Sequence, residues 1–131
     1  MKPGSATPEA ARESTPEARV LEGIRLGMQR RDAGLLAGLY AEQCECTVVN
    51  RNNPPSKPLI LRGRAEIRRL FDDICGREMT HEVTRMLAGN GAASFSLRCR
   101  YPDGCTLVAM SMLTIEAGLI VSELSVDCWD E

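Results

Sequence analysis

One short helix-like segment stands between an apolar, strand-like stretch and a long run of further strand-like sequence. In LILRGRAEIRRLFDDI, residues 59–74, three apolar residues lead through an arginine to a glycine, and apolar side chains then recur at the i, i+3, i+4, i+7 spacing of an amphipathic helix. Everything after Gly76 reads as strand. The chain therefore needs a fold in which a helix covers one face of a sheet made largely of consecutive strands.

Four strand-like segments follow that helix, and each connection between them has the residues of a tight turn. The connections contain Gly89-Asn90-Gly91, Pro102-Asp103-Gly104 and Ala117-Gly118, which are hairpin signals. The sequence therefore predicts four antiparallel strands, over residues 79–88, 92–101, 105–116 and 119–128.

The turn at residues 101–105 also determines which side chains share a face of the sheet. Proline at its first central position and glycine after Asp103 predict a type I turn followed by a G1 bulge. That turn pairs Cys99 with Leu107, and alternate residues of both strands then point the same way. We expect the concave face to hold Phe95, Leu97, Cys99, Leu107, Ala109 and Ser111.

The first part of the chain predicts a tail and two more helices. Residues 1–13 lack periodicity and are rich in Pro, Ala, Ser and Glu, which indicates a flexible tail. Ser14 and Glu17 have the spacing of a capping box at the start of the first helix. Asp32 can cap a second helix, whose apolar stripe ends at Tyr40.

The predicted order of elements is α-α-β-β-α-β-β-β-β, with CTVVN at residues 46–50 as the first strand. Helices that precede the long strands, instead of alternating with them, indicate an α+β fold with a mainly antiparallel sheet. The apolar stripes of three helices and the apolar faces of four strands can cover one another. We therefore predict a single domain over residues 14–131, in which a cone-shaped curved sheet wraps around three helices and leaves a pocket at its open end.

Composition and charge exclude several classes of function. The 131 residues carry a formal net charge of −2, which gives no electrostatic footprint for nucleic acid or for an anionic membrane. No apolar run approaches the roughly 20 residues of a transmembrane helix, and no secretory signal is recognisable, so we expect a cytoplasmic protein. Six cysteines without a C-x-x-C pair, beside one histidine, predict reduced thiols and no metal site. No dinucleotide or phosphate-binding motif occurs, and no cofactor is expected.

The segments LLAGLYAEQCECTVVN and LRGRAEIRRLF, followed by the strand meander, resemble the nuclear transport factor 2-like (NTF2-like) superfamily. The resemblance covers about residues 18–129 and points to the ketosteroid-isomerase-like and SnoaL-like polyketide-cyclase branches. It implies a cone-shaped α+β domain, commonly a dimer, with a deep apolar pocket. Members use that pocket as isomerases, dehydratases, cyclases, epoxide hydrolases or plain binding proteins, so the fold does not determine the function.

The resemblance also implies roles for individual residues. The general-base aspartate of the isomerase-like members falls on Asn50, and their oxyanion-stabilising acid falls near Ser111 or Met112. The aspartate that SnoaL-like cyclases use on their last strand corresponds to Asp127. The histidine that dehydratase-like relatives use near the start of the first meander strand corresponds to His81.

These observations leave three functions open. The first is a domain that binds a small apolar or aromatic ligand. The second is a cofactor-free isomerase, cyclase or dehydratase that transfers protons through His81 and Asp127. The third is an interaction domain that binds its partner through the sheet and not through the pocket. Hydrogen bonding between His81 and an acid would favour the enzyme, and a pocket filled by its own side chains would favour the interaction domain. The expected ligand-pocket residues are Tyr40, Asn50, Phe95, Leu97, Cys99, Ala109 and Ser111.

The strand LVAMSML, residues 107–113, is apolar on both faces with the exception of one serine. A strand with one wet face should alternate apolar with polar residues. If the face containing Leu107 points towards the helices, then Val108, Met110 and Met112 lie on the outer face. We therefore expect a homodimer that covers this outer sheet face.

Overall fold

The helices and strands occur in the predicted order in a computed structural model that describes residues 15–130. This part of the chain confirms the α+β fold and places all three helices before the last four strands. The elements are α1 (Pro16–Arg30), α2 (Ala33–Ala37), β1 (Tyr40–Val49), β2 (Leu59–Arg62), α3 (Arg64–Gly76), β3 (Thr80–Gly89), β4 (Ala92–Arg100), β5 (Thr106–Glu116) and β6 (Leu119–Trp129).

The six strands form one curved sheet in the order β2-β1-β6-β5-β4-β3. All neighbours are antiparallel except β1 and β6, which run parallel although most of the chain separates them. Helix α1 packs on β3 and β4, whereas α3 packs on β1 and β2. Both helices therefore lie inside the curve of the sheet and cover its apolar face.

The predicted register of β4 and β5 is confirmed. Cys99 pairs with Leu107, and the following pairs on the same face are Leu97 with Ala109 and Phe95 with Ser111. The amide of Gly104 donates to the carbonyl of Tyr101 at 2.9 Å, and Gly104 has a φ of 93°, as a type I turn with a G1 bulge requires. As a result, Arg98 and Arg100 point outward and are exposed.

The start of β1 corrects one prediction. Tyr40 is not the last residue of a helical stripe, because α2 already ends at Ala37 and Tyr40 opens β1, where it pairs with Ile120 of β6. Gly38 follows α2 directly, and a five-residue helix is too short to carry the periodicity as far as Tyr40. The tyrosine is still buried, because its side chain enters the core from the sheet instead of from a helix.

Side chains cap the first two helices. At α1 the N-cap is Thr15, whose hydroxyl accepts from the amide of Ala18 at 3.1 Å. The predicted tail over residues 1–13 and the predicted cap Ser14 lie outside the described residues. The predicted cap of α2 is confirmed, since Asp32 Oδ1 accepts from the amide of Leu35 at 3.0 Å.

A β-bulge in β6 changes which of its side chains point inward and which point outward. Ile115 pairs with Ile120 and Thr114 pairs with Ser122, so Val121 is an extra residue without a partner on β5. Beyond this bulge, the polar residues of β6 point into the curve of the sheet: Glu123, Ser125 and Asp127. The apolar residues between them face outward and are partly exposed, namely Leu124 and Val126.

None of the helices within residues 15–130 is long and apolar enough to cross a bilayer. The cytoplasmic location stays a prediction.

Candidate functional site

A cavity of about 290 Å³ remains between the helices and the concave face of the sheet. All three helices contribute apolar side chains to its wall, among them Ile24, Leu36, Ile67 and Phe71. The sheet contributes both apolar and polar side chains. An enclosed apolar cavity with a few polar groups is the usual form of a small-molecule site.

A second, wider depression of about 650 Å³ crosses β1, β2 and β6 on the outside. It is open to solvent, and Glu45 and Arg62 in its wall form an ion pair with each other at 3.2 Å. Because a shallow, solvated surface gives a small ligand little burial, we place the candidate site in the enclosed cavity.

The strand register orders the sheet wall of the cavity into rows. From the interior towards the open end, β6 contributes Glu123, Ser125, Asp127 and Trp129 to successive rows. Ser111 lies beside Ser125 in the second row, and Ala109 lies beside Asp127 in the third. The polar residues thus form a stripe along one strand, from the buried end of the cavity to its mouth.

At the buried end, the carboxyl group of Glu123 accepts hydrogen bonds from several donors. The Tyr40 hydroxyl donates to Glu123 Oε1, and the side chains of Ser111 and Cys46 also bond to this carboxyl group. Burial raises the pKa of Glu123, and these hydrogen bonds oppose that rise in part. Burial, together with Glu123, raises the pKa of Tyr40 well above its usual value, so the hydroxyl keeps its proton.

Nearer the mouth, two side chains orient the carboxyl group of Asp127. Asn50 Nδ2 donates to Oδ2 at 3.3 Å, and the Ser125 hydroxyl donates to Oδ1 at 3.2 Å. Burial raises the pKa of Asp127, and the Asn50 and Ser125 hydrogen bonds oppose the rise. A carboxyl group in this setting can accept a further hydrogen bond from a ligand or exchange a proton with it.

The amide of Asn50 has one defined orientation. Its Oδ1 accepts from the amides of Asn52 and Asn53 at 3.0 and 2.9 Å, and from Asn53 Nδ2 at 3.1 Å. With three N–H donors on Oδ1, the Nδ2 atom must be the one that faces Asp127. The loop after β1 therefore holds Asn50 in place, and Asn50 in turn positions Asp127.

His81 lies on the opposite wall of the cavity, on β3. The residue is 7% exposed, and its Nδ1 lies 3.0 Å from the Cys99 sulfur. Burial lowers the pKa of His81, and the nearby positive charge of Arg31 lowers it further. The pKa of Cys99 is raised to about 12, mainly by burial, so the thiol keeps its proton at neutral pH.

His81 and Asp127 are not hydrogen-bonded to each other. Strands β4 and β5 lie between β3 and β6, and three strand spacings of roughly 4.8 Å amount to about 14 Å along the sheet. The arrangement that would have favoured a His81–Asp127 proton-transfer pair is therefore not found. A cavity filled by the protein's own side chains would have favoured an interaction domain. The cavity is not filled in this way.

All nine residues that the sequence suggested for the site line this cavity. They are Tyr40, Asn50, His81, Phe95, Leu97, Cys99, Ala109, Ser111 and Asp127. Within residues 15–130 no group of three or more His, Cys, Asp or Glu side chains is arranged to hold a metal ion.

Sequence reasoning missed Glu123, the most buried acid of the site. An unbroken hairpin after Ala117-Gly118 would pair Glu123 with Met112 and send it outward, whereas the bulge at Val121 pairs it with Leu113. The one available signal was the pattern ELSVD, residues 123–127. There polar residues occupy one face of a strand that otherwise looks apolar.

Comparison with known proteins agrees with this architecture. The family model of the SnoaL-like domain matches residues 20–123. No curated protein matches the sequence.

Solved structures with a similar fold are distant in sequence. The "putative ketosteroid isomerase" from Kribbella flavida DSM 17836 has a TM-score of 0.73 and 21% identity, over 91% of this chain and 81% of that one. An NTF2-like protein of unknown function from Mesorhizobium loti has a TM-score of 0.75 and 18% identity, over 88% and 93%. Another, from Burkholderia xenovorans LB400, has a TM-score of 0.72 and 16% identity, over 88% and 84%. At these identities the likeness establishes the fold alone.

Proposed function

Because this chain belongs to the SnoaL-like family, within the NTF2-like superfamily, we propose that it binds a small, mostly apolar or aromatic molecule inside its cone. The observation that carries the proposal is the cavity of about 290 Å³. It lies in the core, yet it holds polar side chains at its buried end and near its mouth. A core that served stability alone would be expected to fill such a space with side chains.

The polar groups of the cavity suggest how such a ligand would be oriented. Asp127 offers acceptor oxygens near the mouth, and the hydrogen-bonded group around Glu123 forms the polar end inside. Around this polar stripe the wall is apolar, with residues such as Leu97 and Phe71. An elongated ligand with an apolar body and a hydroxyl or phenol group at one end would match this arrangement.

A probe and two cavity variants test the proposal. Acetylnaphthalene, a two-ring aromatic ketone, should bind the wild type saturably at one site in isothermal titration calorimetry. In Ala109→Phe the added ring occupies the cavity, so binding should fall by at least about tenfold while the protein remains folded by circular dichroism. The matched control is Ala92→Phe, which adds the same ring at an exposed position of β4 and should bind as the wild type does.

Two results would contradict the proposal. One is the absence of saturable binding to the wild type. The other is unchanged binding to a folded Ala109→Phe variant, which would place the probe elsewhere on the protein.

Cofactor-free proton transfer is a second candidate function. It is favoured by the half-buried carboxyl group of Asp127, which two neighbours orient and whose pKa burial raises towards the range useful for acid–base catalysis. The role assigned to Asp127 here does not need His81 as its partner. The substrate would be a ketone or phenol with an exchangeable proton near Asp127.

Hydrogen–deuterium exchange tests this second candidate without knowledge of the natural substrate. The methyl protons of acetylnaphthalene in D₂O should exchange faster with the protein than in buffer, as followed by proton NMR. Asp127→Asn should lower that acceleration by about 10²–10⁴-fold, the usual worth of one general base. Exchange at the buffer rate, or an Asn variant as fast as the wild type, would exclude this role for Asp127.

A further inference from the structure

His81 has a hydrogen-bonding atom that nothing in the described residues satisfies. The ring is buried and lines the cavity, its Nδ1 contacts the Cys99 sulfur at 3.0 Å, and its Nε2 is buried without a hydrogen-bond partner. A buried polar atom without a partner destabilises the folded state, so its presence needs a reason. A ligand in the same cavity is the partner that the geometry offers.

The contact with Cys99 decides what Nε2 can do. A neutral imidazole has one N–H donor and one acceptor nitrogen, and the partner of one nitrogen selects the role of the other. The Cys99 thiol is itself buried and protonated, and it can donate its hydrogen to Nδ1. With Nδ1 as the acceptor, the ring hydrogen sits on Nε2. The other tautomer would direct the N–H at a sulfur atom, which is a weak acceptor, and would leave a lone pair buried at Nε2.

We propose that the Nε2–H group of His81 donates a hydrogen bond to a carbonyl oxygen of the ligand. This inference rests on the proposed binding function and narrows its ligand class to ketones, quinones and related carbonyl compounds with an apolar or aromatic body. His81 then acts as a neutral donor that selects the ligand, and not as an acid or a base.

The surroundings of His81 favour this neutral role. The ring lies in the outermost row of the sheet wall together with Cys99, Leu107 and Trp129, so a carbonyl group there would lie near the mouth. The charged group that acts on it, Arg31, opposes its protonation. Met28 and Met79 belong to the same cavity wall, and their unbranched side chains can rearrange when a ligand enters.

NMR of the imidazole ring tests the tautomer directly. His81 is the one histidine of the chain, so long-range proton–nitrogen correlation of ¹⁵N-labelled protein gives a single set of ring signals. At neutral pH the spectrum should show a protonated Nε2 and an unprotonated Nδ1. A hydrogen on Nδ1, or a charged ring with both nitrogens protonated, would overturn the inference. Cys99→Ala should weaken the preference for this tautomer, because Nδ1 loses its donor.

A matched pair of probes tests the recognition of a carbonyl group. Acetylnaphthalene and isopropenylnaphthalene have the same arrangement of non-hydrogen atoms and differ only in a carbonyl oxygen replaced by CH₂. The wild type should bind the ketone about three- to tenfold more tightly than the alkene, which is the usual net worth of one neutral hydrogen bond. His81→Phe keeps a ring in place without the N–H group, so it should remove this preference.

The ratio of the two affinities separates recognition from folding. A merely structural role of His81 would change the affinity for both probes alike and leave the ratio unchanged, and that result would overturn the inference. Equal affinities in the wild type would also overturn it, while leaving the binding proposal intact. If neither probe binds the wild type, the binding proposal itself fails, and the inference fails with it.

Discussion

At the scale of single residues, Asn50 illustrates how a change of one atom decides what a site can do. It stands where isomerase-like relatives are expected to have an aspartate. Its carbonyl oxygen is fully used by the loop that follows β1. Its amide group faces Asp127. An aspartate at this position would still accept hydrogen bonds from the loop, but its second carboxylate oxygen would face the carboxylate of Asp127.

Asn50→Asp is therefore expected to create a coupled pair of acids instead of an independent base. The new carboxylate replaces a hydrogen-bond donor of Asp127, so the pKa of Asp127 should rise above its already raised wild-type value. The folded state then keeps a proton that the unfolded state releases. The loss of stability should be small near pH 4 and should grow to about 1–3 kcal/mol by pH 8.

Urea unfolding at several pH values measures this effect. Asn52→Asp is the control, because it adds the same charge at an exposed position of the same loop. A variant Asn50→Asp whose stability follows the pH dependence of the wild type would show that the two side chains do not interact.

Glu123 makes a separate contribution to the pH dependence of stability. Its pKa is raised in the folded state above the ordinary value of 4.5, mainly by burial. The stability that it contributes is therefore complete below about pH 4.5 and is lost as the pH rises through the folded-state pKa. Glu123→Gln removes the titrating group but keeps an oxygen that can accept from Tyr40.

The free energy of unfolding should thus fall less between pH 4 and pH 8 in Glu123→Gln than in the wild type. Each unit of pKa difference is worth about 1.4 kcal/mol. Chemical denaturation at both ends of this range is the measurement. The exposed glutamate of β5 provides a matched variant, Glu116→Gln, which should retain the wild-type slope. If the free energy of unfolding depends on pH in the same way in the wild type and in Glu123→Gln, then Glu123 does not have a raised pKa in the folded state.

At the scale of elements, local patterns were sufficient for most of the architecture. The turn residues after β4 predicted the pairing of Cys99 with Leu107, because a type I turn with a bulge allows one register. They could not predict the bulge at Val121, which no special residue marks in the sequence. The same one-residue insertion brings Glu123 and Asp127 to the inner face. The pocket wall from β4 and β5 was thus predictable, and the acid at its buried end was not.

The prediction that Tyr40 belongs to a helix was wrong for a related reason. Its spacing from Leu36 suits a helix, but α2 lasts only five residues before β1 begins. The pairing of β1 with β6, two segments far apart in the chain, decides where the strand starts. Tertiary contacts of this kind override local periodicity.

The packing of α1 on α2 leads to a further prediction. A Cβ atom at Gly27 would lie 2.7 Å from side-chain carbons of Leu36, one of the most buried residues in the protein. Gly27→Ala should therefore separate the two helices slightly and destabilise the protein by about 1–3 kcal/mol, despite the better helix propensity of alanine.

The matched control is Gly76→Ala in α3, where a new Cβ atom meets nothing within 4 Å. It should leave the stability within about 1 kcal/mol of the wild type or raise it. The midpoint of urea unfolding reports both variants. Equal effects of the two substitutions would refute the claim that close helix packing requires Gly27.

At the scale of the whole molecule, the outer face of the sheet carries an apolar patch of partly exposed side chains. Met110 pairs with Val126 and Met112 pairs with Leu124, so the side chains form a continuous surface across β5 and β6. The exposed fractions are 41% for Val108, 64% for Met110, 67% for Met112, 43% for Leu124 and 47% for Val126. Burial of one such side chain is worth roughly 1.5–3 kcal/mol before the cost of association.

We propose that two copies of the chain associate through this patch about a two-fold axis, because such an interface is self-complementary and covers both patches at once. Light scattering on dilute protein should give twice the monomer mass of 14.4 kDa. Met110→Lys places a charge in the middle of the patch and should shift the protein to monomers. Ala65→Lys adds the same charge at an exposed position of α3, away from the outer sheet face, and should leave the dimer intact.

A mass of 14.4 kDa for the wild type would exclude the dimer at that concentration. A dimer that survives Met110→Lys would place the contact on another surface.

The position of β6 links folding to function. β6 follows all the other strands in the chain, yet it lies inside the sheet, with β1 on one side and β5 on the other. Its pairing with β1 closes a loop of roughly 70 residues, the kind of non-local contact that folds slowly and late. Until β6 is inserted, the sheet is split into two parts and neither Glu123 nor Asp127 is in place. We therefore expect closure of the sheet and assembly of the pocket to occur together, so that a partly folded chain has no complete pocket.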